Sequence, residues 1–162
     1  MRRPEGTKAA HRMVVHERVG VMSEMIRVLL VEPGKHPRLV EMAHTLRNLQ
    51  KLVGGDIQAV YPWASDLIGL VCDDAGKLKP ENKPNRLLED YDLLVGPFFL
   101  CGLGQEDFIS ISDELALKYA KKFWMPETFL RTPRGLLVIR DWDGGSEPGK
   151  EWLNEVHRPF DE

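Results

Sequence analysis

The chain has 162 residues, of which 43% are hydrophobic and 29% are charged, as is usual for one compact domain. These proportions exclude a wholly disordered chain, and no stretch reaches the roughly 20 apolar residues that a membrane helix needs. The net charge of −3 disfavours a protein that holds nucleic acid mainly by electrostatic attraction.

Three segments differ in composition. Residues 1–24 carry five basic and three acidic residues without hydrophobic periodicity, and they predict a flexible N-terminal extension. Residues 25–125 predict a single core domain. Residues 126–162, with five basic and eight acidic residues, predict a C-terminal extension. No apolar signal core follows the first basic residues, so we expect a cytoplasmic protein.

The core begins with an apolar segment at 26–31, which predicts a buried strand. Pro33 and Gly34 end this strand. From Pro37 onward, apolar residues recur every three or four positions, which predicts one amphipathic helix of about four turns. The apolar residues of this pattern are Leu39, Ala43, Leu46, Leu49 and Val53. Gly54 is the predicted stop of the helix.

Three further strands are predicted in the middle of the chain. They cover residues 57–61, 67–72 and 91–100, and the last of them is bent at Gly96. The segment between the second and the third, residues 77–90, is predicted to be irregular. Cys72 and Cys101 lie in apolar surroundings and predict buried free thiols.

A second helix is predicted to begin after an N-cap at Ser112 and to end by Pro126. Its core residues are Leu115, Tyr119 and Phe123. A tail strand over 136–142 and a short helix over 148–156 follow. The core order β-α-β-β-β-α predicts an α+β fold, in which helices cover a small mixed or antiparallel sheet.

Asn85 and Arg86 form the most distinctive polar pair. An arginine presents a rigid fork of donors that suits carboxylate or phosphate, and Asn85 adds an amide. With Gln50 and Asp73, the pair is predicted to line a small ligand pocket. In the alternative interpretation, Asn85 and Arg86 brace the irregular segment by bonding its backbone.

Three tryptophans lie in or near the tail: Trp124, Trp142 and Trp152. If they are exposed together, they would form a protein-binding patch. No metal or cofactor motif is found, and we expect neither. No catalytic motif is found either, although an enzyme stays open because catalytic residues need not be adjacent in sequence.

Several ordered segments of the core carry a further signal. They are residues 25–34, 49–58, 71–78, 84–86, 92–99 and 106–110. Together they resemble the family catalogued as domain of unknown function 3846, over roughly residues 26–124. The resemblance implies a small soluble protein of phages or plasmids. It implies no activity and no catalytic residues.

The function predicted from these observations is a non-enzymatic protein-interaction or regulatory module that acts on an unidentified host or phage protein. Counter-defence is one form of such a role. The alternative is a small-ligand or nucleotide-binding module with its pocket around Asn85 and Arg86. Nucleic acid and membrane are disfavoured as partners, and self-association through a sheet edge stays open.

Overall fold

A computed structural model describes residues 10–11, 24–89, 92–140 and 145–160. Most of the predicted N-terminal extension therefore lies outside the described residues. In chain order the strands are β1 (Ala10–His11), β2 (Met25–Val31), β3 (Arg38–Ala43), β4 (Ile57–Val60), β5 (Ile68–Asp73), β6 (Pro84–Leu88), β7 (Asp92–Val95), β8 (Phe98–Leu103), β9 (Phe108–Ile109), β10 (Glu127–Thr132), β11 (Gly135–Arg140) and β12 (Val156–His157). The helices are α1 (Leu46–Val53) and α2 (Asp113–Lys122), with short 3₁₀ turns at Gly76–Leu78 and Lys150–Asn154.

Eight of these strands form the main sheet. Its order is β1-β4-β5-β8-β2-β3-β12, and β9 pairs with β8 at one end. All of these pairs are antiparallel except β12 with β3, so the sheet is mixed. A mixed sheet with two helices confirms the predicted α+β class.

Both faces of the sheet are buried. One hydrophobic cluster contains Leu29 and Leu100 from the central strands together with Tyr119 from α2. The opposite cluster contains Phe99 from the neighbouring position on β8 together with Leu49 from α1. Successive residues of a strand point to opposite faces, so a sheet packed on both sides needs nearly continuous apolar runs. This requirement explains the composition of β2, β5 and β8.

The first predicted helix is wrong in its first half. Residues 38–43 form β3, which pairs antiparallel with β2, and α1 begins only at Leu46. The turn after β2 contains Gly34, whose φ is 74°, and it returns the chain alongside the strand that it has just left. Leu39 then enters one hydrophobic cluster, while Val40 and Met42 enter the other. The predicted order β-α-β-β-β-α is therefore replaced by one with a hairpin before the first helix.

The predicted strand over 91–100 consists of two strands in different sheets. β7 pairs with β6 in a separate two-stranded sheet, whereas β8 lies at the centre of the main sheet. Gly96, with φ of 81°, separates them. A left-handed backbone there changes the direction of the chain, which a straight strand could not do.

Three of the four predicted helix ends are confirmed, the exception being the start of the first helix. The hydroxyl of Ser112 accepts a hydrogen bond from the backbone N–H of Leu115 at 3.2 Å, and α2 ends before Pro126. At the end of α1, Gly54 has φ of 84° and donates its N–H to the carbonyl of Gln50. This geometry is the left-handed C-cap that a glycine favours.

The tail differs from its prediction in two ways. The tail strand is β11, and it pairs with β10, which the sequence analysis missed, to form a two-stranded hairpin outside the main sheet. The predicted short helix is a 3₁₀ turn followed by β12, which pairs parallel with β3. The described part of the tail thus packs on the core of the same chain.

Candidate functional site

Arg86 is only 1% exposed, and protein oxygens accept from each of its three guanidinium nitrogens. Nε and Nη2 donate to the carbonyl of Phe123 at 3.2 and 3.0 Å, and Nη2 also donates to the carbonyl of Lys35 at 2.6 Å. Nη1 donates to the side-chain oxygen of Asn85 at 2.9 Å. Burial lowers the pKa of Arg86 to about 10, because desolvation disfavours the charged form.

Asn85 completes this network, and none of its side chain is exposed. Its Nδ2 donates to the carbonyls of Val31 and Gly96, each at 2.9 Å. The pair therefore ties β6 to the end of β2, to the bend between β7 and β8 and to the end of α2. Asn85 and Arg86 thus have a structural role, but the carbonyls that they bond belong mainly to other segments and not to the irregular segment 77–90.

Gln50 and Asp73 lie apart from this pair. Gln50 donates to the carboxylate of Asp56 at 3.3 Å. Asp73 accepts from Lys79 at 2.6 Å, and its other oxygen caps the following turn. The same Lys79 ammonium donates to the carbonyl of Gly54 at 2.8 Å. The hydrogen bond to Asp73 raises the pKa of Lys79, because it stabilises the charged ammonium. The structure therefore does not bring the four residues together in one pocket: Asn85 and Arg86 share one buried network, and Gln50 and Asp73 bond other partners.

Two of the three predicted tryptophans, Trp124 and Trp152, pack inside the structure and do not form an exposed patch. The ring of Trp124 stacks on His36, with the ring centroids 4.1 Å apart. Trp152 is 9% exposed and meets the Trp124 ring edge-on at 6.3 Å. These two tryptophans fix the tail against the core, and Trp142 lies outside the described residues. The predicted surface of three tryptophans is therefore corrected to a packing contact between two of them.

A cleft of about 440 Å³ opens between β4, β5 and β7. Apolar side chains of Val60, Leu88 and Leu94 line it, and Asp73 is the only one of the predicted ligand-binding residues among its walls. Its further polar walls are Gln58, Cys72, Asp74, Lys77 and Asp92. Lys77 is paired with the carboxylate of Asp92 across the cleft.

The thiol in this cleft is a poor nucleophile. Burial raises the pKa of Cys72 to about 11, and the nearby carboxylates of Asp73 and Asp92 add to the rise. Burial also raises the pKa of Cys101, which lies fully inside the sheet. Both cysteines are free, as predicted, and neither has the lowered pKa of a catalytic thiolate.

Among the described residues, the largest group of exposed large apolar side chains lies on the hairpin of β10 and β11, residues 127–140, which we call the arm. Its base is fixed to the body by Glu127, whose side chain is 7% exposed. One oxygen of Glu127 accepts from the backbone N–H of Leu87 at 2.8 Å, and the other accepts from Arg140 at 3.2 Å. Phe129 lies on the same face of the arm as Glu127, and it lines a shallow cavity together with Pro33 and Pro84. This inner face therefore rests on the body at its base.

The opposite, outer face of the arm points to solvent. Cross-strand partners share a face of a sheet, so the register assigns six residues to the outer face. They are Thr128, Leu130, Thr132, Gly135, Leu137 and Ile139. Leu130, Leu137 and Ile139 are 46%, 49% and 43% exposed. Soluble monomers rarely leave neighbouring large apolar side chains uncovered, so this face has the character of a docking surface.

The sequence did contain a signal for the arm. Phe129 and Leu130 precede the turn-forming segment Thr132 to Gly135, and an apolar run over 136–139 follows. Two apolar segments separated by a short turn that contains glycine predict a hairpin. The analysis recognised only the second segment, because the first is short and is interrupted by polar residues.

Within the described ranges, no group of three His, Cys, Asp or Glu side chains could hold a metal ion. Among the helices described here, none is both long and apolar enough to cross a membrane.

The fold and these surfaces define an α+β protein whose polar pair is structural and whose apolar arm is exposed. A family model described as Domain of unknown function (DUF3846) matches residues 26–124. The chain belongs to this family. Comparisons with curated proteins and with solved structures give no match. The family match ends before β10, so the arm lies outside it.

Proposed function

We propose that this protein is a non-enzymatic protein-interaction or regulatory module that acts on a host or phage protein, and that the arm is its docking element. The observation that carries the proposal is the outer face, where Leu130, Leu137 and Ile139 are each more than 40% exposed. Burying such side chains against a partner is favourable, at about 25 cal/mol per Å² of apolar surface removed from water.

The construction of the arm supports the same proposal. A two-stranded hairpin alone is at best marginally stable in water, so the order of this arm depends on the contacts at its base. The ion pair of Glu127 with Arg140 and the bond from Leu87 hold its base in place. A fixed base with an exposed apolar end presents the outer face without a large loss of conformational freedom on binding.

The test is capture of a protein partner from a lysate of the natural host by the full chain. The arm variant is Leu130→Thr with Leu137→Thr, which keeps a residue suited to strands and removes apolar area. The matched control is Leu67→Thr with Leu78→Thr, at two leucines outside the arm that are 74% and 84% exposed. Thermal unfolding of both variants checks that the fold is intact.

We expect the wild-type chain and the control variant to capture the same protein, and the arm variant to lose it. Capture that survives in the arm variant, or that is lost equally in the control, would contradict the proposal.

A second candidate function is binding of a small ligand in the cleft of about 440 Å³. That volume lies within the usual range for ligand pockets, and the cleft combines an apolar floor with a polar rim. Asp74, Lys77 and Asp92 give the rim more negative than positive charge. We therefore propose a small organic cation with an apolar body as the ligand class.

A thermal-shift series of primary amines and guanidines, with the matching neutral amides as controls, tests this candidate. We expect cationic compounds alone to raise the melting temperature, and Asp74→Asn to reduce the rise. Equal responses to cations and amides would rule the candidate out.

A further inference from the structure

We infer that the outer face of the arm is covered by the arm of a second copy of this chain, stacked face to face. This inference rests on the proposed function for the location of the docking surface, and it assigns that surface to a second copy of this chain instead of a host or phage protein. It is argued from the charges of the arm, from its cross-strand register and from the position of its base.

The outer face carries no charge. The arm contains one acidic and three basic residues, and none of these four belongs to the outer face. Glu127, Arg131 and Arg140 lie on the inner face, and Arg134 lies in the turn. An acidic or basic partner would find no complementary charge on the outer face, whereas two copies stacked there meet no like charges.

The cross-strand register makes this face complementary to itself. Leu130 pairs with Leu137 at the centre, Thr128 with Ile139 toward the base, and Thr132 with Gly135 toward the tip. A two-fold axis in the plane of contact and perpendicular to the strands places the base of one arm over the tip of the other. Ile139 of each copy then lies over Gly135 of the other copy. The largest outer-face side chain at the base of one arm is therefore opposite a glycine, which has no side chain, at the tip of the other.

The position of the body selects this arrangement. The base of the arm is bonded to β6, so the bulk of the molecule lies at the base end. If the two-fold axis ran along the strands, both bodies would meet at the same end. With antiparallel arms the bodies lie at opposite ends, and the Arg134 turns are separated as well. In that arrangement Leu137 of one copy faces Leu137 of the other.

The size of the face predicts a weak dimer. Six residues a side is well below the 20–30 residues that each partner contributes to a standard stable interface. The association is therefore expected to depend on concentration, with dimers forming in the micromolar range and above.

Sedimentation equilibrium of the full chain, from about 5 to about 500 µM, measures this association. The wild-type mass is expected to rise from 18.5 kDa toward twice that value with concentration. The variant Leu130→Thr with Leu137→Thr should stay monomeric, and Leu67→Thr with Leu78→Thr should follow the wild type.

A crosslinking experiment tests the stacking itself. Leu137→Cys should be linked to a second copy by a short bismaleimide, whereas Leu67→Cys, at a more exposed position outside the arm, should not. The native thiols are shielded, because Cys101 is buried and Cys72 has a raised pKa. Unmodified wild type provides the background.

Three results would overturn the inference: a wild-type chain that is monomeric throughout, a dimer that the arm variant retains, or a dimer that Leu137→Cys does not crosslink. If the wild type is monomeric but its capture of another protein depends on the arm, the second copy is excluded and the proposed function stands. If capture does not depend on the arm either, both fail.

Discussion

Arg86 shows how a single residue type can predict two opposite roles. Its fork of donors suits an anionic ligand, yet the acceptors that its three nitrogens bond are oxygens of the protein itself. The sequence reveals the donors but not the direction in which they point. That direction depends on carbonyls contributed by residues as distant as Lys35 and Phe123, which only the folded chain brings together.

Replacing Arg86 by methionine should lower the free energy of unfolding by about 3 kcal/mol, because buried carbonyls lose their donors without water to replace them. Arg47→Met, at an exposed arginine, is the matched control and should change stability by less than about 0.5 kcal/mol. Urea denaturation followed by tryptophan fluorescence measures both. If Arg86→Met is as mild as the control, Arg86 does not brace the fold.

At the scale of elements, capping signals predicted the fold better than hydrophobic spacing did. Ser112 and Gly54 mark real helix ends, because a cap is a local interaction that needs no other part of the chain. The spacing of Leu39, Ala43 and Leu46 fits a helix, but it spans the boundary between β3 and α1. Residues 38–43 form a strand because they pair with β2 and are buried on both faces of the sheet. Both effects depend on residues that are distant in the sequence.

The carboxylate of Asp66 holds α2 in place, and only the structure shows this contact. Asp66, in the loop before β5, accepts from the ammonium of Lys118 at 2.7 Å and from the hydroxyl of Tyr119 at 2.6 Å. The bond from Lys118, followed by that from Tyr119, holds the pKa of Asp66 below its ordinary value of 3.8. The bond to Asp66 also helps burial to raise the pKa of the Tyr119 phenol.

Asp66→Asn should therefore lower the free energy of unfolding by about 2 kcal/mol at neutral pH. Because the folded pKa lies below the unfolded one, this contribution is complete above about pH 4 and is lost as the pH falls through the folded pKa. The difference between wild type and variant should thus shrink as the pH falls below about 4. Glu106→Gln, at an exposed carboxylate, is the control, and a difference that does not vary with pH would contradict the assignment.

On the scale of the whole molecule, the family match and the proposed docking surface occupy different parts of the chain. The match covers residues 26–124, which hold nearly the whole sheet, both helices and the Arg86 network. The arm follows immediately after it. The α+β class could be predicted from apolar runs and caps. The exposed face of the arm could not, because exposure depends on what the rest of the chain leaves uncovered.

The central claim is that a protein covers the outer face of the arm in the cell. Its most direct test is the reactivity of a thiol introduced by Leu137→Cys toward a membrane-permeant maleimide, measured in cells and on dilute purified protein. Leu67→Cys reports the accessibility of an exposed leucine site outside the arm. We predict that Leu137→Cys reacts much more slowly in cells than in dilute solution, while Leu67→Cys reacts equally in both. Equal reactivity of Leu137→Cys in the two settings would contradict the claim, because it would leave the outer face open to solvent where the protein works.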